Sequence, residues 1–173
     1  MSFAKKNKPN ICKHHYPYDI SSFDQEDILE IRKMSERDLF SVMEIEEASF
    51  SNPWSLTSFQ SELRENKLAH YRCLVFQGEV VGYMGYWAAF DEAHVTNIAI
   101  TPQHRGKGWG EYLMTAVMTY CIRTGISRMT LEVRVSNEIA QKLYQKLGFA
   151  PVGIRPRYYL DNHEDALIMW AEL

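Results

Sequence analysis

The chain has 173 residues and a formal net charge of −3, and 46% of its residues are hydrophobic and 24% charged. This length and composition fit one globular domain and exclude a largely disordered chain. The acidic balance argues against a nucleic-acid binder, which normally carries a basic face. No apolar run approaches the roughly 18 residues of a membrane span. Neither nucleic acid nor membrane is therefore an expected partner.

Residues 1–28 are predicted to form an N-terminal appendage, because basic residues come early, acidic residues come late and no hydrophobic period holds. The run Cys12-Lys13-His14-His15 offers metal-ligand side chains without a second cluster, so no metal site is expected. Cys73 and Cys121 lie in apolar segments and are expected to be small core residues. These cysteines and the lack of an apolar signal core indicate a reducing, cytoplasmic setting.

The first part of the domain reads as one strand and two helices. Leu29–Met34 is the predicted strand, and Ser35 with Asp38 has the form of a capping box for a helix that ends near Ala48. A second helix is predicted to begin near Ser55. Between the two helices, Trp54 either belongs to the core with Phe59 or lines a substrate pocket, and the pattern alone favours the core.

A hairpin follows, with predicted strands at His70–Gln77 and Val80–Phe90. Gly82 and Gly85 inside its second strand indicate a bulge or the close approach of a neighbouring chain. The next strand, Ala93–Ile100, is stopped by Pro102 because proline cannot donate a backbone hydrogen bond.

The last part alternates between helices and strands, which predicts an α/β or α+β sheet with helices on both faces. A helix follows the glycine-rich turn and ends at Gly125, a second helix is capped by Asn137 and ends at Gly148, and strands are predicted at Met129–Val135, about Ala150–Arg155 and His163–Ala171.

The pattern Gln103-x-x-Gly106-x-Gly108-x-Gly110 lies where a strand meets a helix. It matches neither the dinucleotide fingerprint nor the P-loop, because Lys107 is followed by glycine. Free backbone N–H groups, the helix dipole and the charges of Arg105 and Lys107 favour the phosphates of a nucleotide-like cofactor. The alternative is a plain loop with glycines for turning.

Glu132 and Tyr144 are candidates for acid–base chemistry, because a short connection from strand to helix can bring both to one cleft. From spacing alone, an ordinary exposed glutamate and a half-buried tyrosine are the favoured interpretation.

Four segments together resemble the motifs of the GNAT superfamily of N-acetyltransferases, and two more resemble its RimI branch, which acetylates the N-terminal alanine of a small-subunit ribosomal protein. The first four are Asn97–Ile100, Gln103–Gly108, Leu131–Asn137 and Leu143–Phe149, and the other two are Phe50–Ser55 and Tyr158–Met169. The resemblance covers about Leu29 to Leu173, whereas residues 1–28 depart from the family pattern. It implies a mostly antiparallel central sheet of about seven strands and a domain at residues 29–173.

The resemblance implies acetyl-CoA as the cosubstrate and no metal. The pyrophosphate is expected on the glycine-rich turn, the pantetheine arm along the preceding strand, and the thioester carbonyl near the Ile98 amide, an oxyanion-hole role. The implied cofactor-binding residues are Ile98, Ala99, Ile100, Gln103, His104, Arg105, Gly106, Lys107, Gly108, Trp109, Gly110 and Asn137.

The resemblance also makes Glu132 the general base, acting through water, and Tyr144 the acid that protonates the leaving thiolate. Glu92 and His94 are an alternative base pair on the preceding strand. An α-amino group costs about 1 kcal/mol to deprotonate at neutral pH and a lysine about 4.6 kcal/mol, so an N-terminus is the easier acceptor.

The implied partner is a protein N-terminal peptide, expected to come from a basic ribosomal protein. Trp54, Tyr158 and Tyr159 are expected to line its channel, and Glu164 and Asp165 either meet its basic residues or form a solvated strand end. Two alternatives remain: an acetyltransferase for lysine or a small-molecule amine, and a CoA-sensing module without turnover.

Overall fold

A seven-stranded sheet and four α-helices make up the computed structural model, which describes residues 28–173. The strands are β1 Leu29–Lys33, β2 Ala69–Phe76, β3 Glu79–Ala89, β4 Glu92–Ile100, β5 Arg128–Arg134, β6 Ala150–Arg155 and β7 Ala166–Glu172. The helices are α1 Leu39–Ser49, α2 Leu56–Arg64, α3 Trp109–Arg123 and α4 Glu138–Lys146, with short 3₁₀ turns at Glu36–Asp38 and Pro102–His104.

The strand order is β1-β2-β3-β4-β5-β7-β6, and every neighbouring pair is antiparallel except β4 and β5. The predicted mostly antiparallel sheet is therefore confirmed. β4 and β5 pair only where Glu92–His94 meets Arg128–Thr130. Past His94, no strand within residues 28–173 pairs with β4 on that side, and the gap that opens between β4 and β5 is called the β4–β5 cleft below.

Helices cover both faces of the sheet, as expected. Leu39, Val42 and Ile45 of α1 share one buried cluster with Phe59 of α2. On the opposite face, Leu113, Met114, Val117 and Cys121 of α3 and Tyr144 of α4 lie in a second buried cluster. Cys73 and Cys121 are both fully buried, one in each cluster, which confirms the core role predicted for them.

The pairing of β3 with β4 contains the irregularity that the glycines of β3 indicated. Gly85 pairs with Asn97 and Tyr86 with Val95, so Thr96 is left over as a bulge in β4. A Cβ atom on Gly85 would lie 2.2 Å from the ring of Tyr71, so only glycine fits there. The Thr96 bulge lies beside the β4–β5 cleft and changes the direction in which the side chains that follow it point.

Most predicted boundaries agree with the structure to within a few residues, and β6 begins and ends where it was predicted. The largest difference is β7, which begins at Ala166 and not at His163. The preceding residues form a closed loop, in which the Tyr159 amide donates to the Glu164 carbonyl (3.1 Å) and the Arg157 amide to the Asp165 carboxylate (2.8 Å).

The predicted appendage and the Cys12–His15 run lie almost wholly outside the described residues. Among residues 28–173, no helix is long and apolar enough to cross a membrane.

Candidate active site

The glycine-rich turn has the backbone geometry of an anion site. Gly106 (φ 76°) and Gly108 (φ 77°) adopt left-handed conformations, and Gly108 is the N-cap of α3. Within the described part of the chain, the amides of Gly108, Trp109 and Gly110 have no acceptor, because the first N–H groups of a helix lack intrahelical partners. These amides and the helix dipole can hold a phosphate.

The side chains of the turn are arranged differently from the expectation. The Arg105 guanidinium turns inward, where Nε donates to the Ile100 carbonyl (2.9 Å) and Nη2 to Ser49 Oγ (2.8 Å), so it braces the turn against β4 and α1. Lys107 Nζ lies 3.0 Å from His104 Nδ1 and 5.0 Å from the Trp109 ring centre. The His104 ring stacks on Trp109, so Lys107, His104 and Trp109 form one cluster of side chains on the turn.

The turn, the end of β4 and α4 converge at the β4–β5 cleft. A Cβ atom on Gly110 would lie 3.8 Å from both Ile100 and Leu143. Ile98, Ala99 and Ile100 lie on the part of β4 that does not pair with β5. Asn137 caps α4 by accepting a hydrogen bond from the Ala140 amide (3.1 Å), which occupies its side-chain oxygen and leaves the NH₂ group for another partner.

Glu132 and His94 form a pair on the sheet face covered by α1 and α2. His94 Nε2 lies 3.2 Å from Glu132 Oε2, and Arg155 Nη1 donates to Glu132 Oε1 (3.1 Å). The hydrogen bond from His94, with a smaller contribution from Arg155, outweighs burial and lowers the pKa of the Glu132 carboxyl. His94 Nδ1 lies 3.0 Å from Thr130 Oγ1, which fixes the orientation of the ring. The two candidate bases are therefore one unit, whereas Glu92 is exposed at the start of β4.

Tyr144 lies on α4, on the opposite side of β5 from that pair. Its side chain is 7% exposed and packs against Phe149. Its hydroxyl has no hydrogen-bond partner among residues 28–173, and burial raises the pKa of Tyr144 to about 12. It is therefore protonated at neutral pH and has a donor to offer.

The loop between β6 and β7 brings Tyr158 and Tyr159 to this region. Burial raises the pKa of both hydroxyls, and the negative charge of Glu132 raises them further. Tyr144 and Tyr158 also raise the pKa of Tyr159, so Tyr159 lies within electrostatic reach of Glu132, Tyr144 and Tyr158. The Arg155 guanidinium covers the Tyr158 ring at 4.8 Å.

Arg134 anchors that loop. It binds Asp161 (2.8 Å) and Glu164 (3.0 Å), and its guanidinium lies 3.8 Å from the centre of the Tyr159 ring. Glu164 also accepts from the Ser136 amide (2.7 Å), and Asp165 is held by Arg157. Both carboxylates are thus used within the chain, so they are not a free acidic surface for a basic peptide.

Trp54 lies across from the β6–β7 loop. Phe59 is fully buried and belongs to the core, whereas Trp54 is half-buried and packs on it at 5.5 Å between ring centres. The Ser51 hydroxyl donates to Asp161, which joins the α1–α2 connection to the loop. The described contacts join these two segments but do not bring Trp54 against Glu132.

Two residues of this region were missed in the sequence. Arg155 gave no periodic signal, because β6 is an edge strand with an exposed, irregular pattern. Glu46 had a signal: it is the polar member of the helical stripe Leu39, Val42, Met43 and Glu46, and it is buried. Within the described residues, no group of three or more His, Cys, Asp or Glu side chains is placed to hold a metal ion.

The chain matches the family model described as "Acetyltransferase (GNAT) family" over residues 39–149. A protein of Bacillus subtilis (strain 168), provisionally named a [ribosomal protein bS18]-alanine N-acetyltransferase, is 48% identical over 83% of this chain and 95% of its own length. The Escherichia coli (strain K12) protein named [Ribosomal protein bS18]-alanine N-acetyltransferase is 33% identical over 80% of this chain and 94% of its own length.

Solved structures agree with these sequence relatives. The E. coli ribosomal-protein-S18-alanine N-acetyltransferase superposes with a TM-score of 0.78 at 31% identity, over 84% of this chain and 94% of that one. Ard1 of Thermoplasma volcanium superposes with a TM-score of 0.77 at 28% identity, over 84% and 97% of the two chains. The chain therefore belongs to the GNAT acetyltransferase family and is an acetyl-CoA-dependent N-acetyltransferase.

Proposed function

We propose that this enzyme acetylates the α-amino group of a protein N-terminus, and that its acceptor is the N-terminal alanine of a small-subunit ribosomal protein. The observation that carries the proposal is the Glu132–His94 pair at the edge of the β4–β5 cleft, on the side that the α1–α2 connection and the β6–β7 loop enclose. The names of the B. subtilis and E. coli relatives support the same acceptor. Its setting is expected to be the cytoplasm.

The acetyl-CoA site is assigned to the turn and to the unpaired edge of β4. Its pyrophosphate is expected on the amides of the turn, its pantetheine arm beside Ile98–Ile100 and the NH₂ group of Asn137, and its thioester carbonyl near the Ile98 amide. Open space beside the turn supports the assignment of the pyrophosphate. A Cβ atom added to Gly106 would meet no protein atom within 4 Å, so a ligand can approach the backbone there. When bound, acetyl-CoA supplies the acetyl thioester.

Glu132 is assigned as the group that receives the proton of the amine. The hydrogen bond with His94 lowers the pKa of the Glu132 carboxyl below its ordinary value, so the carboxylate is a far weaker base than an α-amine and cannot fully deprotonate the ammonium group before attack. The amine instead loses its first proton to solvent, at a cost of about 1 kcal/mol near neutral pH. Glu132 then takes the second proton as the C–N bond forms, when the nitrogen becomes strongly acidic, and His94 holds the carboxylate in place.

Tyr144 is assigned to the departing thiolate. Its pKa of about 12 lies above the roughly 8.5 of a cysteine thiol, so complete proton transfer from Tyr144 to a thiolate would be uphill. Tyr144 therefore acts by donating a hydrogen bond to the sulfur as the C–S bond breaks. This assignment places base and acid on opposite sides of β5.

The acceptor channel is assigned to Trp54 on one side and to Tyr158 and Tyr159 on the other. The rings of the two tyrosines are nearly perpendicular, with 5.1 Å between their centres, and the guanidinium groups of Arg134 and Arg155 pack over Tyr159 and Tyr158, respectively. Aromatic walls of this kind can bind a peptide backbone and a small first side chain by apolar contact.

A panel of acceptors tests the proposal. The protein is incubated with acetyl-CoA and, separately, a peptide that begins with alanine, an N-terminally blocked peptide that contains lysine, and a polyamine. Acetylation of the first alone supports the proposal. Acetylation of only the lysine peptide or the polyamine refutes it in favour of another amine acetyltransferase, and no acetylation with retained acetyl-CoA binding favours a sensing module.

A further inference from the structure

Glu46 is a buried acid that the proposed chemistry does not use. It lies on α1 and is 1% exposed, although glutamate is rarely buried so completely unless it is paired. Burial raises the pKa of its carboxyl to about 7. Because desolvation of a carboxylate is costly, its position must be offset by specific contacts.

Those contacts connect Trp54, between α1 and α2, with β4 beside the Thr96 bulge. Glu46 Oε1 accepts from the backbone amide of Trp54 (2.9 Å), and Glu46 Oε2 accepts from the Tyr83 hydroxyl. The Tyr83 oxygen in turn accepts from Asn97 Nδ2 (3.1 Å). Asn97 flanks the Thr96 bulge of β4 and precedes Ile98.

The connection that Glu46 holds, residues 50–54 and called the Trp54 segment below, has few other attachments. Residues 50–53 between α1 and α2 are exposed and form no helix or strand. Two side-chain-mediated hydrogen bonds connect the segment to other parts of the described chain: Ser51 to Asp161 of the β6–β7 loop, and the Trp54 amide to Glu46. The Glu46 bond therefore holds the backbone of Trp54 to α1, while the Trp54 ring packs on Phe59 of the core.

We propose that Glu46 is a positioning residue that fixes the Trp54 segment relative to the β4 bulge and so sets how the acceptor lies against the acetyl group. The inference rests on the proposed function where it takes Trp54 as a wall of the acceptor channel. A carboxylate suits this position because it accepts from two donors at once. Glutamine would direct an NH₂ group at the Tyr83 oxygen, which already accepts from Asn97.

The competing explanation is that Glu46 serves the stability of the fold alone. Asp38 provides the matched control: it is 7% exposed and binds Arg32 (2.7 Å) and the Ser35 amide (2.7 Å) at the opposite end of α1. Loss of its charge weakens a set of partly buried hydrogen bonds away from the α1–α2 connection. Asp38→Asn is therefore expected to lower the melting temperature and leave acceptor kinetics unchanged.

The experiment compares Glu46→Gln and Asp38→Asn with the wild type, using whichever amine the wild type acetylates best in the acceptor panel. Glu46→Gln should raise KM for that acceptor by about tenfold, equal to about 1.4 kcal/mol, and should change KM for acetyl-CoA by less than about twofold. Equal acceptor KM values in Glu46→Gln and wild type, or an equal rise in Asp38→Asn, would overturn the inference.

Two further measurements keep the test decisive. Hydrogen exchange at the Trp54 amide needs no acceptor, and it should be faster in Glu46→Gln than in the wild type; an unchanged rate contradicts the inference even if no turnover is found.

If Glu46→Gln does not fold, Tyr83→Phe replaces it, because this variant releases Glu46 from the sheet. It should also raise acceptor KM, and an unchanged value counts against the inference. A wild type that acetylates only polyamines refutes the N-terminal acceptor separately.

Discussion

Glu132→Gln is the substitution that bears most directly on the proposed chemistry. The amide keeps the size of the carboxyl group and one acceptor for His94 or Arg155, but it cannot receive a proton. If Glu132 takes the amine proton during attack, kcat must fall, while the acetyl-CoA site at the turn and along β4 is untouched. KM for acetyl-CoA should therefore stay close to the wild-type value.

The expected loss can be estimated from the chemistry of the pair. General base catalysis contributes about 10²–10⁴-fold, and a base whose pKa lies below its ordinary value belongs at the lower end. We therefore expect kcat to fall by about 100-fold, or about 2.7 kcal/mol in the barrier. The ion pair with Arg155, which is 57% exposed, contributes only about 0–1 kcal/mol to stability, so the loss of that pair does not explain such a fall in kcat.

The assay is steady-state acetylation of the best acceptor between about pH 6 and pH 8, where a carboxyl with a lowered pKa is fully ionised. The variant should be slower by a similar factor across this range, and the rise of the wild-type rate with pH should follow the amine. Glu92→Gln, at the exposed start of β4, is the matched control and should retain the wild-type rate. A Glu132→Gln rate equal to wild type at every pH would remove Glu132 from the mechanism.

Three other substitutions test the rest of the site. Tyr144→Phe should slow transfer without changing KM for acetyl-CoA, since it removes only the donor; unchanged kinetics would exclude the assigned role. Gly106→Ala should lose about 1 kcal/mol of stability because its backbone is left-handed, and it should also bind acetyl-CoA more weakly. Gly148→Ala (φ 94°) should show only the loss of stability. Calorimetry measures both the stability and the affinity for acetyl-CoA, and equal acetyl-CoA affinities of the two variants would contradict the assigned phosphate site. Arg134→Ala should release the β6–β7 loop and raise KM for the acceptor severalfold, and a normal acceptor KM would show that the loop does not shape the channel.

The sequence predicted the architecture well because its signals are local. Alternation in β5 assigned its faces, Asn137 marked the start of α4, and the glycines of β3 indicated the bulge at Thr96, beside Asn97. Each of these features depends on residues close together in the chain or on the intrinsic conformational preference of one residue.

The partners of the charged side chains could not be predicted in the same way. Arg105 was expected to face a phosphate but donates to the Ser49 hydroxyl, and Glu164 was considered for the peptide but binds Arg134. Such pairs form between residues that the fold brings together from distant positions, and a hydrophobic period carries no information about them. The catalytic roles of Glu132 and Tyr144 remain predictions for the same reason.

The central claim is that the acetyl group goes to an α-amine. The most direct measurement uses one peptide that carries both a free N-terminal alanine and an internal lysine. After incubation with acetyl-CoA, fragmentation in a mass spectrometer locates the added group. The account predicts a single acetyl group on the alanine nitrogen. An acetyl group on the lysine with a free alanine would contradict it.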